Sequence, residues 1–312
     1  MKWNATKLEQ AADCLFKCYL INVEKERYPA TGPMKKGRLL HTATQTDRFF
    51  NADGTPFYRT PESFTNAMVA KWKYVLRKAR EGEEEISWKY DEEPWKLMKD
   101  IKEMSPSVYM RYVREGPPTF CEKPFDIEVD GRRINGRLDE IRRGPVFRDK
   151  KTGNSRPGEM TLAYNHQFTI YNLAICVMAM KDPVFADMVG LTPEDVEMIL
   201  SGPSPVSERI RGEYYFMKND ELIEMPRDQL NYAELCETID DYDERIESGN
   251  AHPERGYHCD GCEVKAACDS RSAAVFAPAS RASQLDLFGE MPHTPSPKRK
   301  KTRPYQRRLG FK

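Results

Sequence analysis

The sequence predicts an α/β fold, a β-sheet packed with helices, and three observations carry that prediction. Residues 6–24 and 159–181 place apolar side chains at helical spacing. Residues 120–151 switch to short alternating runs broken by the turn dipeptides Asp130-Gly131 and Gly144-Pro145. A second pair of short strand-like runs, 212–216 and 222–225, flanks the Lys218-Asn219-Asp220 turn. A period near 3.6 marks an amphipathic helix and a period of 2 marks a half-buried strand.

Taken in order, the first helix is expected over 6–24, from Leu8, Ala12, Leu15, Phe16, Tyr19 and Leu20. A Pro/Gly stretch over 28–37 should interrupt the chain before a helix that opens at Gly37. Two packing helices rich in Lys, Glu, Trp and Met are expected over 61–82 and 92–115. The runs 120–129, 132–142 and 145–151 read as an antiparallel meander with tight turns. A loop with Gly153, Pro157 and Gly158 leads to the helix at 159–181, and a last helix at 228–248 leads to a cluster of cysteines.

Composition narrows the class. Charged residues make up 31% of the chain and mean hydropathy is −0.74, which implies a soluble protein with a modest core. No stretch approaches 18 consecutive apolar residues, which argues against a membrane span, and Met1-Lys2-Trp3-Asn4 lacks the pattern of a secretory signal. A cytoplasmic location is expected. The formal charge of zero hides eight Lys or Arg in the last twenty residues, with no acid among them. The remainder of the chain therefore carries about −8, and a neutral total does not argue against a nucleic-acid partner. Ala, Ser, Pro and Lys dominate after Ser270, as expected of a disordered tail.

The chemistry concentrates in the meander. Asp139 closes one strand in Gly136-Arg137-Leu138-Asp139, and Asp149 and Lys151 close the next in Asp149-Lys150-Lys151-Thr152-Gly153. Hairpin pairing can bring both carboxylates to one sheet edge, and a two-residue spacing puts Asp149 and Lys151 on one face. Converging carboxylates attract a hard divalent cation, and a neighbouring lysine can orient or deprotonate water, or stabilise charge at phosphorus. Asp-x-Lys alone is common on solvated hairpins, so the surrounding residues carry the weight.

Those residues resemble the PD-(D/E)xK nuclease superfamily, and within it the RecB-type exonuclease branch that includes CRISPR-associated nucleases. Its four elements occur in order: Gly-x-x-x-His at Gly37 and His41, Gly-x-Leu-Asp at Gly136 and Asp139, Asp-x-Lys-Thr-Gly from Asp149, and Gln-x-x-x-Tyr at Gln167 and Tyr171. The resemblance implies a restriction-endonuclease-like core, a mixed sheet flanked by helices, with a helical insertion at about 55–118. It implies a metal-dependent deoxyribonuclease, more an exonuclease than an endonuclease, acting on DNA with Mg²⁺ or Mn²⁺. By resemblance, His41, Asp139, Asp149 and the Lys150 carbonyl hold the metal. Lys151 is similar to the catalytic lysine, and Gln167 and Tyr171, four apart on one helix face, look toward the site and the DNA. Two positions depart from the pattern: Lys150 stands where the family is commonly apolar, and Gln45 where it often has Glu.

Cys259, Cys262 and Cys268 fall within ten residues and call for a fourth ligand. Adjacent His258 would suit zinc; Cys14 would suit an iron–sulfur cluster, and Cys18 lies one turn later. Iron–sulfur RecB-type nucleases resemble this chain in pairing one cysteine on the first helix with three near the domain end. That resemblance implies a [4Fe–4S] staple on Cys14, Cys259, Cys262 and Cys268, within a nuclease domain of 1–270.

In the tail, 271–312, Gln284-Leu285-Asp286-Leu287-Phe288 resembles the bacterial sliding-clamp binding motif, beside basic runs suited to phosphate. Two other classes fit parts of the pattern. A non-catalytic DNA-binding subunit would keep the fold without the full constellation, and a zinc adaptor recruited to the clamp would need only the cysteines and the pentamer.

Overall fold

The computed structural model describes residues 1–153, 158 and 165–276, with side chains to residue 271. Met1–Asp269 form one compact unit and Ser270–Lys312 a second. The clamp-like pentamer at 284–288 and the basic terminus lie outside the described residues.

The centre is a five-stranded mixed sheet in the order β3-β4-β5-β6-β7. The meander forms as the turn dipeptides require, from β3 (Phe120–Val129), β4 (Arg132–Arg142) and β5 (Val146–Lys151), each antiparallel to the next. The second hairpin also forms, from β6 (Arg211–Phe216) and β7 (Glu221–Glu224). Its docking is the part no turn dipeptide encodes: β6 runs parallel to β5. A parallel neighbour needs a long crossover. Its described part comprises α7 (His166–Lys181), α8 (Pro183–Val189) and α9 (Pro193–Ser201). Helix α7 buries every residue from Phe168 to Val177, so it is enclosed on all sides rather than amphipathic.

Both faces of the sheet are covered, and β6 shows why. Tyr214 and Phe216 enter one core, while Tyr215 and Met217 enter another. A strand buried on both faces reads as an unbroken apolar run. The first core joins the sheet to α7, to α1 (Ala5–Asp13) and to α10 (Gln229–Glu247) through Leu8, Tyr171, Leu235 and Ile239. The second lies under α3 (Gly32–Ala43), α4 (Thr46–Phe49), α5 (Pro61–Arg80) and α6 (Glu93–Glu115). The helical insertion is thus the cover of the sheet's second face, with Phe64, Trp72, Ile101 and Tyr112 packed toward Tyr215.

Three boundaries differ from expectation. The single helix expected over 6–24 breaks at Cys14, whose backbone is extended, and restarts as α2 (Leu15–Asn22). The break turns Leu15, Cys18 and Leu20 into buried positions. Helix α3 begins at Gly32, inside the Pro/Gly stretch: Pro33 occupies the first turn, where no amide is needed, and Thr31 caps Met34 N. A short parallel pair, β1 (Ala30–Thr31) and β2 (Ile86–Ser87), brings the chain into that cap. At the other end, α11 (Lys265–Phe276) carries helical backbone beyond the composition shift at Ser270, because Ala273 and Ala274 favour helix. Among the described residues no helix is long and apolar enough to cross a membrane.

Candidate active site

The register of the sheet builds the site. In the β3–β4 ladder Cys121 faces Glu140 and Lys123 faces Leu138, which sets Glu122 opposite Asp139. The β4–β5 ladder ends at the Glu140–Arg148 pair, and its register continued one step brings Asp139 level with Asp149. Asp149 in turn faces Tyr214 across the parallel pair. Glu122, Asp139 and Asp149 therefore form one row across three adjoining strands, where side chains directly opposite share a face.

Helix α3 closes over this row. His41, in its last turn, puts Nδ1 3.3 Å from Asp139 Oδ2. Gly37, one turn earlier, lies so near Thr152 that a Cβ there would fall 3.3 Å from its hydroxyl, so glycine lets the helix settle on the end of β5. The same Asp139 oxygen accepts from the Lys150 amide at 3.0 Å. Burial raises the pKa of the Asp139 carboxyl, but His41 and Lys150 outweigh it and the net shift is downward.

Asp149 is in the opposite condition. It is almost wholly buried, and burial pushes its pKa up; Lys151 pulls down, Asp139 pushes up again, and the net shift is upward. Its Oδ1 accepts from Gln167 Nε2 at 2.8 Å. Its Oδ2 lies 2.9 Å from Lys151 Nζ, an ion pair that ties the buried carboxylate to the partly exposed lysine. Gln167 also accepts from Lys151 Nζ at 3.2 Å and donates to the Tyr171 hydroxyl at 2.9 Å. Asn165 caps α7 by accepting from Gln167 N, which fixes the helix end that carries this side chain.

The two lysines separate. Lys151 faces the carboxylates and is 35% exposed. Burial lowers its pKa, but Asp149 and Tyr214 raise it further, and it is held protonated. Lys150 points to the other face, is 2% exposed, and donates to Thr44 Oγ1 at 3.2 Å. Behind it, Arg148 binds Glu115 at 2.7 Å and Glu213 at 2.9 Å, and lies 3.4 Å from Glu140. Tyr112 donates to Glu140 at 2.5 Å. This buried network joins the insertion to the strands that carry Asp139 and Asp149.

Glu122 is the residue that sequence reasoning missed. Its carboxylate, His41 and Asp139 offer ligand atoms that all lie within 4.8 Å of one another. Its backbone has φ +51°, a left-handed conformation uncommon outside glycine, so the fold holds it there against local preference. The signal was available: a two-residue turn at Asp130-Gly131 pairs Val129 with Arg132, and counting back sets 122 against 139. Gln45 precedes α4 and accepts from the amides of Arg48 and Phe49 through its carbonyl, making it the cap of that helix.

At the far end of the unit, Cys14, Cys259, Cys262 and Cys268 line one cavity of about 250 Å³. Cys259 belongs to a 3-10 turn, Tyr257–Gly261, and Lys17 bridges to Glu263 at 2.8 Å beside Cys262. Cys18 is not part of that lining. It is buried in the first core, donates to the Lys7 carbonyl at 3.4 Å, and burial pushes its thiol up to about 11. His258 also lines the cavity, with Nε2 2.7 Å from the Glu254 carbonyl.

Acidic side chains in a row on adjoining strands, with a lysine two residues past the last, define the class of the protein: a nuclease with a restriction-endonuclease-like fold. The chain belongs to the PD-(D/E)XK nuclease superfamily, whose sequence pattern matches residues 2–269. No curated protein matches the chain. The four sequence elements named above meet in space at Asp139 and Asp149.

Proposed function

We propose that this protein is a divalent-metal-dependent deoxyribonuclease that degrades DNA from its ends. The observation that carries the reading is a pair of carboxylates, Glu122 and Asp139, whose ligand atoms lie within 4.8 Å of one another and of His41, with buried Asp149 beside them. Such a pair repels itself, and a hard cation relieves the repulsion. Mg²⁺ or Mn²⁺ held by His41, Asp139, Asp149 and the Lys150 carbonyl, with Glu122 beside them, would supply Lewis acidity toward the phosphoryl oxygen.

The chain's own residues do the rest. Lys151 stays protonated against Asp149, so it stabilises negative charge gathering at phosphorus and orients the attacking water. Gln167 fixes Lys151 and Asp149 at once, and Tyr171 fixes Gln167. Action on ends rather than internal sites rests on the likeness to RecB-type exonucleases. The test is linear and covalently closed circular DNA offered with Mg²⁺, with Mn²⁺ and with EDTA. Degradation of linear DNA alone, abolished by EDTA, supports the reading; cutting of the circle assigns an endonuclease.

The cysteine cavity supports a [4Fe–4S] cluster on Cys14, Cys259, Cys262 and Cys268. The four cysteines line one cavity of about 250 Å³, and the choice of the cluster over zinc rests on the likeness to iron–sulfur RecB-type nucleases. Its role is structural: it ties the first helix to the end of the nuclease domain.

A further inference from the structure

The helical insertion carries a groove of about 450 Å³ away from the carboxylate row. Lys73, Arg77 and Arg80 form one wall, spaced four and three apart on one face of α5. Trp88, ahead of α6, and Trp95, in its first turn, form the other. Trp95 is 61% exposed, an unusual position for the largest apolar side chain. Beside the groove, exposed Tyr74 lies under two cations, with Arg77 5.0 Å and Lys78 5.3 Å from its ring centre. Acids also lie nearby, with Glu85, Asp91 and Glu92 on the segment that joins α5 to α6, and three others are engaged elsewhere or weakly held. Glu84 pairs with Lys35, Glu83 with Lys78, and Glu81 meets Arg77 at 3.1 Å where both are exposed. An exposed pair of that kind exchanges readily for a phosphate. Among the described residues neither Lys73 nor Arg80 has an acidic partner.

We propose that this groove binds single-stranded DNA, with Trp95 stacking on an unpaired base and Lys73, Arg77 and Arg80 holding the adjoining phosphates. The inference rests on the nuclease reading for its choice of DNA. Cations alone would accept any polyanion. Exposed indole beside them selects a strand whose bases are free to stack, because duplex bases are already stacked on one another. Position agrees. Gly32, the first residue of α3, lies under Trp88 so closely that a Cβ would fall 2.5 Å from its ring. His41 sits nine residues further along the same helix, about 14 Å by helical rise.

Binding of fluorescein-labelled oligo(dT) to the full chain, read by anisotropy in EDTA, tests this without cleavage. Trp95→Ala should weaken binding about tenfold or more, with an unchanged melting temperature. Arg77→Ala with Arg80→Ala should weaken it and flatten its salt dependence by about 0.7 in log–log slope per lost phosphate contact. With Mg²⁺ or Mn²⁺, Trp95→Ala should slow degradation of a thirty-nucleotide strand and leave a dinucleotide, too short to reach the groove, unaffected. Oligo(dT) binding unchanged in all variants overturns the proposal. So does duplex binding that is equally tight and equally dependent on Trp95, or a Trp95 dependence seen with polyglutamate and not with oligo(dT). Because binding is read in EDTA, it remains decisive even when the wild-type protein degrades no DNA, an outcome that would instead sink the nuclease reading.

Discussion

Lys150 and Lys151 are consecutive in the chain and stand on opposite faces of β5. One is sealed under Thr44 and the other meets Asp149 and Gln167. Their substitutions should separate. Lys151→Ala should lower the rate of DNA cleavage by about 10²–10³, the usual cost of losing one charge-stabilising donor. Lys150→Met should leave the rate near wild type and change stability by about 1–3 kcal/mol through Thr44 and the neighbouring charges. Single-turnover cleavage and thermal melting of both variants read the two effects independently.

Much of this was legible before any coordinates. The turn dipeptides predict the meander, the two-residue spacing puts Asp149 and Lys151 together, and the four-residue spacing puts Gln167 and Tyr171 on one face. What stayed hidden depends on distant contacts. The parallel docking of β6 on β5 is decided by packing on α7, which no local pattern records. The extended backbone at Cys14 that divides α1 from α2 has no signal in the apolar spacing, since Leu8 and Leu15 would share one face of an unbroken helix. Glu122 lies 17 residues before Asp139, so only the hairpin count reveals it.

Glu122 should contribute to cation affinity. Glu122→Gln keeps the size and removes the charge, and it should raise the Mn²⁺ concentration for half-maximal cleavage by about 10–100-fold. A titration of cleavage rate against Mn²⁺ checks this. An unchanged midpoint would assign Glu122 to Arg137, which lies 3.7 Å away.

Glu140 gives the fold an acid-sensitive joint. Burial raises its pKa, but Arg142, Arg148 and Lys150 outweigh it and the net shift is downward. A carboxyl whose folded pKa is depressed stabilises the fold above its unfolded value, near 4.3, and that contribution is lost as pH falls through the folded value. Glu140→Gln should cost about 1.5–3 kcal/mol at neutral pH by removing the charged acceptor of Tyr112 and Arg142 and one of the three acids around Arg148. The gap between wild type and variant should narrow below about pH 4. Denaturant melts at pH 7, 5, 4 and 3 test the sign, and a gap that widens on acidification would reverse it.

The cysteine cavity predicts an asymmetry between two neighbours. Cys14→Ala should release iron and lower the melting temperature, because the staple between the first helix and the Cys259–Cys262 turn is cut. Cys18→Ala should keep the full iron content, since its sulfur is packed in the core. Iron analysis and visible absorbance of both purified variants distinguish them. Iron loss in Cys18→Ala alone would transfer the ligand role.

The most direct measurement is Mn²⁺ binding and DNA cleavage followed side by side in the wild-type protein and Asp149→Asn. The wild type should bind Mn²⁺ and release nucleotides from linear DNA. The variant, which keeps the shape and loses the charge, should bind the ion far more weakly and cleave at least 10²-fold more slowly. Cleavage by Asp149→Asn at the wild-type rate, or by the wild type in EDTA, would contradict a catalytic site built on the Asp139–Asp149 row.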